Sequence, residues 1–187
     1  MMGAISIAIH VTAAATLIGP QILMFFAVIP ATWIIEDDEK LKRAITRVIA
    51  ARFGMLAGIS LVTLLVTGLF QYYTTVPESV RAAPEDYLFG TIFSLKMLMF
   101  TILLILIYIH MFRYGRRISA LSDQVIAAEE DPFSKRSDEV KELRSELERA
   151  RQKSFGFSIF ILGTSLIILW LGVVLGEPTV AWTKLGL

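Results

Sequence analysis

Four long apolar stretches divide this chain. Residues 1–35, 53–77 and 154–176 contain no charged side chain, and residues 87–112 contain only one, Lys96. Each stretch exceeds the roughly 18 apolar residues that an α-helix needs to cross a bilayer. The pattern predicts an all-α fold, an integral membrane four-helix bundle that forms a single transmembrane domain. The predicted spans cover about residues 5–34, 53–76, 88–112 and 154–176.

The distribution of basic residues predicts the orientation. Five Lys and Arg lie in residues 36–52 and ten in residues 113–153, against one each in residues 78–86 and in the C-terminal tail. Basic connections stay on the cytoplasmic side, so both termini are expected outside a bacterial-type inner (plasma) membrane. No basic residue precedes the first stretch, which we therefore interpret as a retained helix rather than a signal peptide.

The long basic connection, residues 113–153, has helical periodicity of its own. Apolar residues recur at helical spacing on both sides of Asp131-Pro132, a helix cap followed by a proline. We therefore expect a cytoplasmic antiparallel helical hairpin that extends the third and fourth spans. It forms either a solvated stalk or a docking surface for a partner protein. The apolar positions are Ile118, Leu121, Val125 and Ile126, then Val140, Leu143, Leu147 and Ala150.

Composition excludes several functional classes. The 187 residues are 55% apolar and 19% charged, with mean hydropathy +0.65, which indicates that lipid is the surrounding solvent. A net charge of +1 argues against a nucleic-acid partner. The absence of cysteine excludes disulfides and thiolate sites. No nucleophile, metalloprotease or nucleotide-binding motif is present, and the spans contain no carboxylate for a proton relay.

Two polar side chains are expected at the same depth near the outer face. His10 lies early in the first span and Lys96 early in the third, and both spans run in the same direction. Intramembrane polar groups are costly and often functional, so His10 and Lys96 are predicted to share one pocket. The alternatives are a histidine that only donates to a backbone carbonyl and a lysine that extends outward to the interface.

The second histidine is expected near the opposite face. His110 follows Lys96 by fourteen residues on one helix, which places it about 21 Å deeper, beside Arg113, Arg116 and Arg117. His10 and His110 of one subunit therefore cannot clamp one haem. A b-type haem would have one histidine with a weak second ligand or none, and two haems, one per leaflet, are an alternative. His110 is alternatively a boundary residue. The methionine candidates are Met97 and Met99 near the outer face, and Met24, Met55 and Met111 near the inner one.

Small residues and aromatic residues predict how the spans pack and where they meet the membrane surface. Glycines in the second and fourth spans are expected to allow close helix packing, and Gly19-Pro20-Gln21 is expected to bend the first span and make room for a ligand. Aromatic residues near the span ends are interpreted as interface anchors. The glycines are Gly54, Gly58, Gly163 and Gly172, and the aromatic residues are Trp33, Trp170, Trp182, Tyr72, Tyr73 and Tyr87.

Several short motifs carry a resemblance to a known family. The chain resembles the copper-resistance D (CopD) family, and His10, Lys96 and His110 together are similar to the HemJ-type protoporphyrinogen oxidases, which are four-span haem b proteins. The resemblance implies that His10 is the haem ligand and Lys96 a second functional group. The motifs are Ile9-His10-Val11-Thr12-Ala13-Ala14, Leu17-Ile18-Gly19, Val66-Thr67-Gly68-Leu69, Tyr87-Leu88-Phe89-Gly90 and Ser94-Leu95-Lys96-Met97.

Three functions follow as hypotheses. The first is a b-type haem protein of CopD/HemJ type that acts in electron transfer or oxidation, as a subunit of a larger membrane complex or alone. The second is copper transport or resistance, because imidazole and thioether groups suit Cu(I). The third is an accessory subunit without a cofactor. The copper ligands would be His10, Met97 and Met99, with Met1 and Met2 at the terminus.

Overall fold

Helices form almost all of the chain in the computed structural model, which describes residues 2–35, 38–130 and 138–185 and, of Trp33, the backbone alone. No strand occurs in these ranges, so the predicted all-α class is confirmed for them. The predicted turn at Asp131-Pro132 lies outside the described residues. The helices are α1 Met2–Leu23, α2 Ile29–Ile34, α3 Glu39–Thr74, α4 Glu78–Ala82, α5 Leu88–Ile109, α6 Arg116–Glu130, α7 Asp138–Leu175 and α8 Pro178–Ala181.

Four helices are long and apolar enough to cross a membrane: Met2–Thr32, Glu39–Thr74, Leu88–Glu130 and Asp138–Leu175. The four long apolar helices predicted from the sequence are therefore confirmed. Their outward surface is itself apolar, since Phe26 is 80% exposed and Trp170 is 66% exposed.

Two of these long helices contain a π-helical turn. Met24–Val28 joins α1 to α2, and His110–Gly115 joins α5 to α6. The first of these turns lies after the predicted bend, because α1 runs through Pro20 without ending. Half-buried Gln21 contacts Ser165 of α7, with Nε2 and Oε1 each 3.4 Å from Oγ.

The centre of the bundle receives one buried leucine or isoleucine from each long helix. Leu17 of α1, Leu61 of α3, Leu103 of α5 and Ile161 of α7 form one cluster, and Leu103 is only 1% exposed. Burying a side chain of this kind stabilises a fold in water by about 1.5–3 kcal/mol. The cluster therefore defines which side of each apolar helix faces inward.

The helices extend beyond their apolar parts at the basic end, which we define as residues 39–52, 113–130 and 138–153. Residues 36–52 were expected to form a connection, but α3 begins at Glu39, where the side chain of Asp38 accepts a hydrogen bond from the Leu41 amide at 2.8 Å. Leu121 and Val125 of α6 pack on Leu147 and Ala150 of α7.

A buried carboxylate links three helices at the basic end. Glu39 of α3 is 8% exposed, accepts a hydrogen bond from Ser122 of α6 at 2.6 Å and pairs with Arg151 of α7 at 2.7 Å. Burial lowers the pKa of the Arg151 guanidinium, but hydrogen bonds to Glu148 and Glu39 outweigh that effect and raise the pKa overall. Arg43 of α3 adds a pair with Asp123 of α6 at 2.6 Å. Polar contacts thus hold this end together.

Short helices close the opposite end, the cap end, which we define as residues 75–87 and 176–185. Val80, Phe89 and Ala181 form a small apolar cluster there, and Ala181 is completely buried. Two backbone hydrogen bonds join the tail to the start of α5: the Leu88 amide donates to Thr183 at 3.0 Å, and the Leu185 amide donates to Asp86 at 2.8 Å. The C-terminal tail is therefore part of the bundle's closed end.

The glycines have a different role from the one predicted. No atom of another helix in the described part of the chain lies within 4 Å of a Cβ built at Gly58 or Gly163, so these two glycines are not sites of close helix packing within the chain. At Gly54 the nearest such atom is Met111 Cε, at 4.0 Å. Gly172 does allow a close approach, but the group that approaches is the side chain of Lys96 rather than a helix backbone.

Candidate cofactor site

A cavity of about 460 Å³ lies between the four long helices, next to the cap end. This volume is in the range of small-molecule sites. The lining is mostly apolar, and both His10 of α1 and Lys96 of α5 belong to it, so the structure places the two predicted side chains on one cavity. Other polar lining residues are Gln71, Tyr72, Thr75, Ser165 and Trp182.

The ring of His10 is oriented by a threonine on the neighbouring helix. His10 Nδ1 lies 2.7 Å from Thr67 Oγ1 of α3, and the Thr67 hydroxyl donates to the backbone carbonyl of Thr63 at 2.6 Å. The partner of His10 is thus a hydroxyl rather than the backbone carbonyl considered above. Which of the two atoms donates the shared proton depends on the tautomer of the imidazole ring. The other ring nitrogen, Nε2, has no hydrogen-bond partner among the described residues.

Lys96 faces the cavity without a counter-ion. Its Nζ lies 3.2 Å from the Cβ position of Gly172 in α7, so the ammonium packs against Gly172 in space that a larger side chain would occupy. In the described ranges no carboxylate forms an ion pair with it. An anionic group on a bound molecule is the natural complement of a half-buried ammonium in apolar surroundings.

An aromatic wall completes the cavity. Tyr72 of α3 stacks on Phe93 of α5 with ring centroids 5.1 Å apart, and Phe93 stacks on Phe89 at 5.5 Å. All three rings line the cavity, as does Trp182. Tyr72 and Trp182, interpreted from the sequence as interface anchors, thus also contact the site. Flat apolar walls of this kind suit a planar ligand.

Of the four site residues predicted from the sequence, three line this cavity and one does not. His10, Lys96 and Met97 belong to the lining, whereas His110 lies elsewhere, stacked on Phe157 with ring centroids 6.1 Å apart and an interplanar angle of 3°. Its buried Nδ1 has no hydrogen-bond partner within the described residues.

The distance between the two histidine sites follows from their neighbours on α3. Met111, next to His110, lies 4.0 Å from the Cβ position of Gly54, while His10 contacts Thr67. These positions on α3 are thirteen residues apart, or about 20 Å at 1.5 Å per residue. The structure agrees with the expectation that the two imidazoles belong to different sites.

The methionines considered as copper ligands differ in their position relative to the cavity. Met97 lines the cavity, but Met99 does not, and Met2 is 77% exposed at the start of α1. Met1 lies outside the described residues. Among those described, no group of three or more His, Asp or Glu side chains could hold a metal ion. The donors on the cavity are therefore one imidazole and one thioether.

Sequence reasoning missed Thr67 and Gly172 as parts of the site. Thr67 appeared only within a family motif, and Gly172 only as a packing glycine. The available signal was the polarity of Thr67 inside an uncharged span, since a polar group there needs a partner. Which helix supplies that partner is not readable from the sequence.

The fold and site together define a class: an all-helical bundle with an apolar exterior that encloses an imidazole and an ammonium in one aromatic cavity. Comparisons with protein families, with curated proteins and with solved structures found no match to this chain.

Proposed function

We propose that this protein spans a bilayer four times, with both termini outside, and binds a b-type haem in the cap-end cavity through His10. It acts in electron transfer or oxidation within the membrane. The apolar exterior supports membrane insertion, and the basic residues at one end of the bundle support the orientation. The resemblance to the CopD and HemJ groups agrees with this proposal, because it assigns His10 as the haem ligand.

The donor chemistry of the cavity fits this group. His10 offers an imidazole, which ligates iron through a ring nitrogen that carries no proton. Lys96 offers a cation for an acidic substituent of the porphyrin, and the Phe89, Phe93 and Tyr72 rings offer a flat apolar wall. Met97 is the one thioether on the lining and a candidate for a weak second ligand.

Each of these side chains has a defined task. Thr67 orients the His10 ring, as outer partners of metal-binding histidines do. Lys96 neutralises negative charge in an apolar site, and the aromatic wall offers a flat apolar surface to the ligand. Bound haem supplies one-electron redox chemistry, tuned by its axial ligand and surroundings.

The observation that carries the proposal is the presence of His10 and Lys96 on one cavity, where His10 Nε2 has no hydrogen-bond partner among the residues that the structure describes. The test is an absorption spectrum of the detergent-purified protein, reduced and oxidised, with iron and copper analysis. We expect a Soret band, a reduced-minus-oxidised difference in the α-band region, and about one iron per chain. Stoichiometric copper without a Soret band would favour copper handling, and a preparation with neither would favour an accessory subunit.

The membrane orientation has a separate test, because the chain contains no cysteine. Glu85→Cys at the cap end and Glu146→Cys at the basic end introduce single thiols at exposed positions. In intact cells a membrane-impermeant maleimide is expected to label Glu85→Cys and to spare Glu146→Cys until the cells are lysed. The reverse labelling would contradict the orientation, and equal labelling of both would contradict membrane insertion.

A further inference from the structure

We infer that Thr67 is a positioning residue that holds His10 in the tautomer with the proton on Nδ1. The lone pair of Nε2 is thereby kept available to the cavity. This inference rests on the proposed site, but it concerns the protein's own hydrogen bonds and is testable without any ligand.

The inference follows from counting protons along two short contacts. Thr67 Oγ1 lies 2.6 Å from the Thr63 carbonyl and 2.7 Å from His10 Nδ1, and the hydroxyl has a single proton to donate. The carbonyl oxygen of Thr63 has no proton to donate, so the hydrogen bond between the two residues needs the proton of the Thr67 hydroxyl. If the hydroxyl donated to His10 instead, two oxygen lone pairs would face each other at 2.6 Å. The proton between Thr67 and His10 therefore belongs to Nδ1.

Helix geometry maintains this arrangement. Thr63 and Thr67 are one turn apart on α3, where a threonine hydroxyl commonly donates to the carbonyl four residues earlier. Gly68, the next residue, leaves space for the imidazole: His10 Cε1 lies 3.5 Å from its Cβ position. The Thr67-Gly68 pair thus supplies a hydrogen-bond acceptor and room for the ring at the same level of the bundle.

The fixed tautomer determines what class of ligand the cavity accepts. His10 presents an electron-pair donor, and Lys96 presents hydrogen-bond donors with positive charge. A complementary molecule has an apolar, flat body with an electron-accepting centre, such as a metal ion, toward His10 and an anionic group toward Lys96. A metalloporphyrin with acidic side chains has both features. The same porphyrin without its metal has only the second.

The direct test is nitrogen NMR of the ligand-free protein labelled with ¹⁵N-histidine, in which the proton-bearing ring nitrogen is identified from its shift and couplings. The chain has two histidines, so a His110→Gln variant assigns the His10 signals. We expect the proton of His10 on Nδ1 in the wild type and in Thr67→Ser, and a mixture of tautomers in Thr67→Val. A wild-type proton on Nε2 would overturn the inference whether or not the variants fold.

Thr63→Val is the matched control. In the wild type, the Thr63 hydroxyl donates the same kind of hydrogen bond one turn earlier on α3, to the Ile59 carbonyl at 2.8 Å, and it contacts no histidine. The His10 tautomer is expected to stay unchanged in this variant. If Thr63→Val disturbed it as much as Thr67→Val does, a general effect on α3 would replace the specific role of Thr67.

A binding measurement connects the tautomer to the ligand. Iron porphyrin and the metal-free porphyrin are titrated into wild type, Thr67→Ser and Thr67→Val. We expect Thr67→Val to weaken iron-porphyrin binding about 10–100-fold, as loss of outer partners of metal-ligating histidines does, and metal-free binding to change little. If Thr67→Val weakened the binding of both porphyrins equally, the positioning role of Thr67 would be contradicted. Wild type with the proton on Nδ1 but without iron-porphyrin binding would remove the proposed function and leave the positioning role intact.

Discussion

Replacing His10 with alanine is expected to abolish the Soret band of the purified protein. His10 supplies the one imidazole on the cap-end cavity, and Met97 is the other soft donor on its lining. Removing an outer partner of a metal-bound histidine typically costs 10–100-fold in affinity. Loss of the ligand itself is therefore expected to lower haem affinity by more than about 100-fold. The measurement is the ratio of Soret to protein absorbance, with iron content, after identical purification.

His110→Ala provides the control for this experiment. His110 is the second histidine of the chain, but it stacks on Phe157 away from the cavity. The variant is expected to keep the full Soret band. A Soret band that survives in His10→Ala and disappears in His110→Ala would indicate that the haem binds at the basic end. A band halved in each variant would indicate two haems, and either result would contradict the proposal.

Gly90→Ala is expected to cause the largest loss of stability among the glycine substitutions. A Cβ at this position would lie 2.1 Å from the backbone oxygen of Pro84 and 2.6 Å from its carbonyl carbon. The obstacle is backbone, so no side-chain rotation relieves it. Overpacking typically costs 1–3 kcal/mol, and we expect about 3 kcal/mol here, or a midpoint lower by about 6–12 °C in thermal unfolding.

The effect of Gly90→Ala should extend to the cavity. Gly90 lies in the first turn of α5, between Phe89 of the aromatic wall and Lys96. Gly58→Ala is the matched control, because no atom of another helix lies within 4 Å of its Cβ position in the described part of the chain. We expect its thermal midpoint to stay the same or rise slightly, since alanine is the better helix former. Equal midpoints for Gly90→Ala and Gly58→Ala would contradict the close contact with Pro84.

The meeting of His10 and Lys96 was predictable because helix geometry is regular. A fixed rise of 1.5 Å per residue converts sequence position into distance along a helix, and two helices that run in the same direction place their early residues at a similar level of the bundle. The same rise per residue predicted that His110 and His10 lie near opposite ends of the bundle. Predictions about contacts across helices succeeded less often: Gly58 and Gly163 have no close neighbour from another helix among the described residues, whereas Gly172 accommodates the ammonium of Lys96.

The number of long apolar helices, the basic character of one end and the level of each polar group along the bundle were readable from the sequence, because these depend on composition and on position along a helix. Helix packing in three dimensions was needed to show that Thr67 faces His10, that Gly172 faces Lys96 and that Tyr72 is part of the cavity wall. A helix that is apolar on every side carries no pattern that specifies its rotation about its own axis. Packing against the other helices sets that rotation, and with it the chemistry of the cavity.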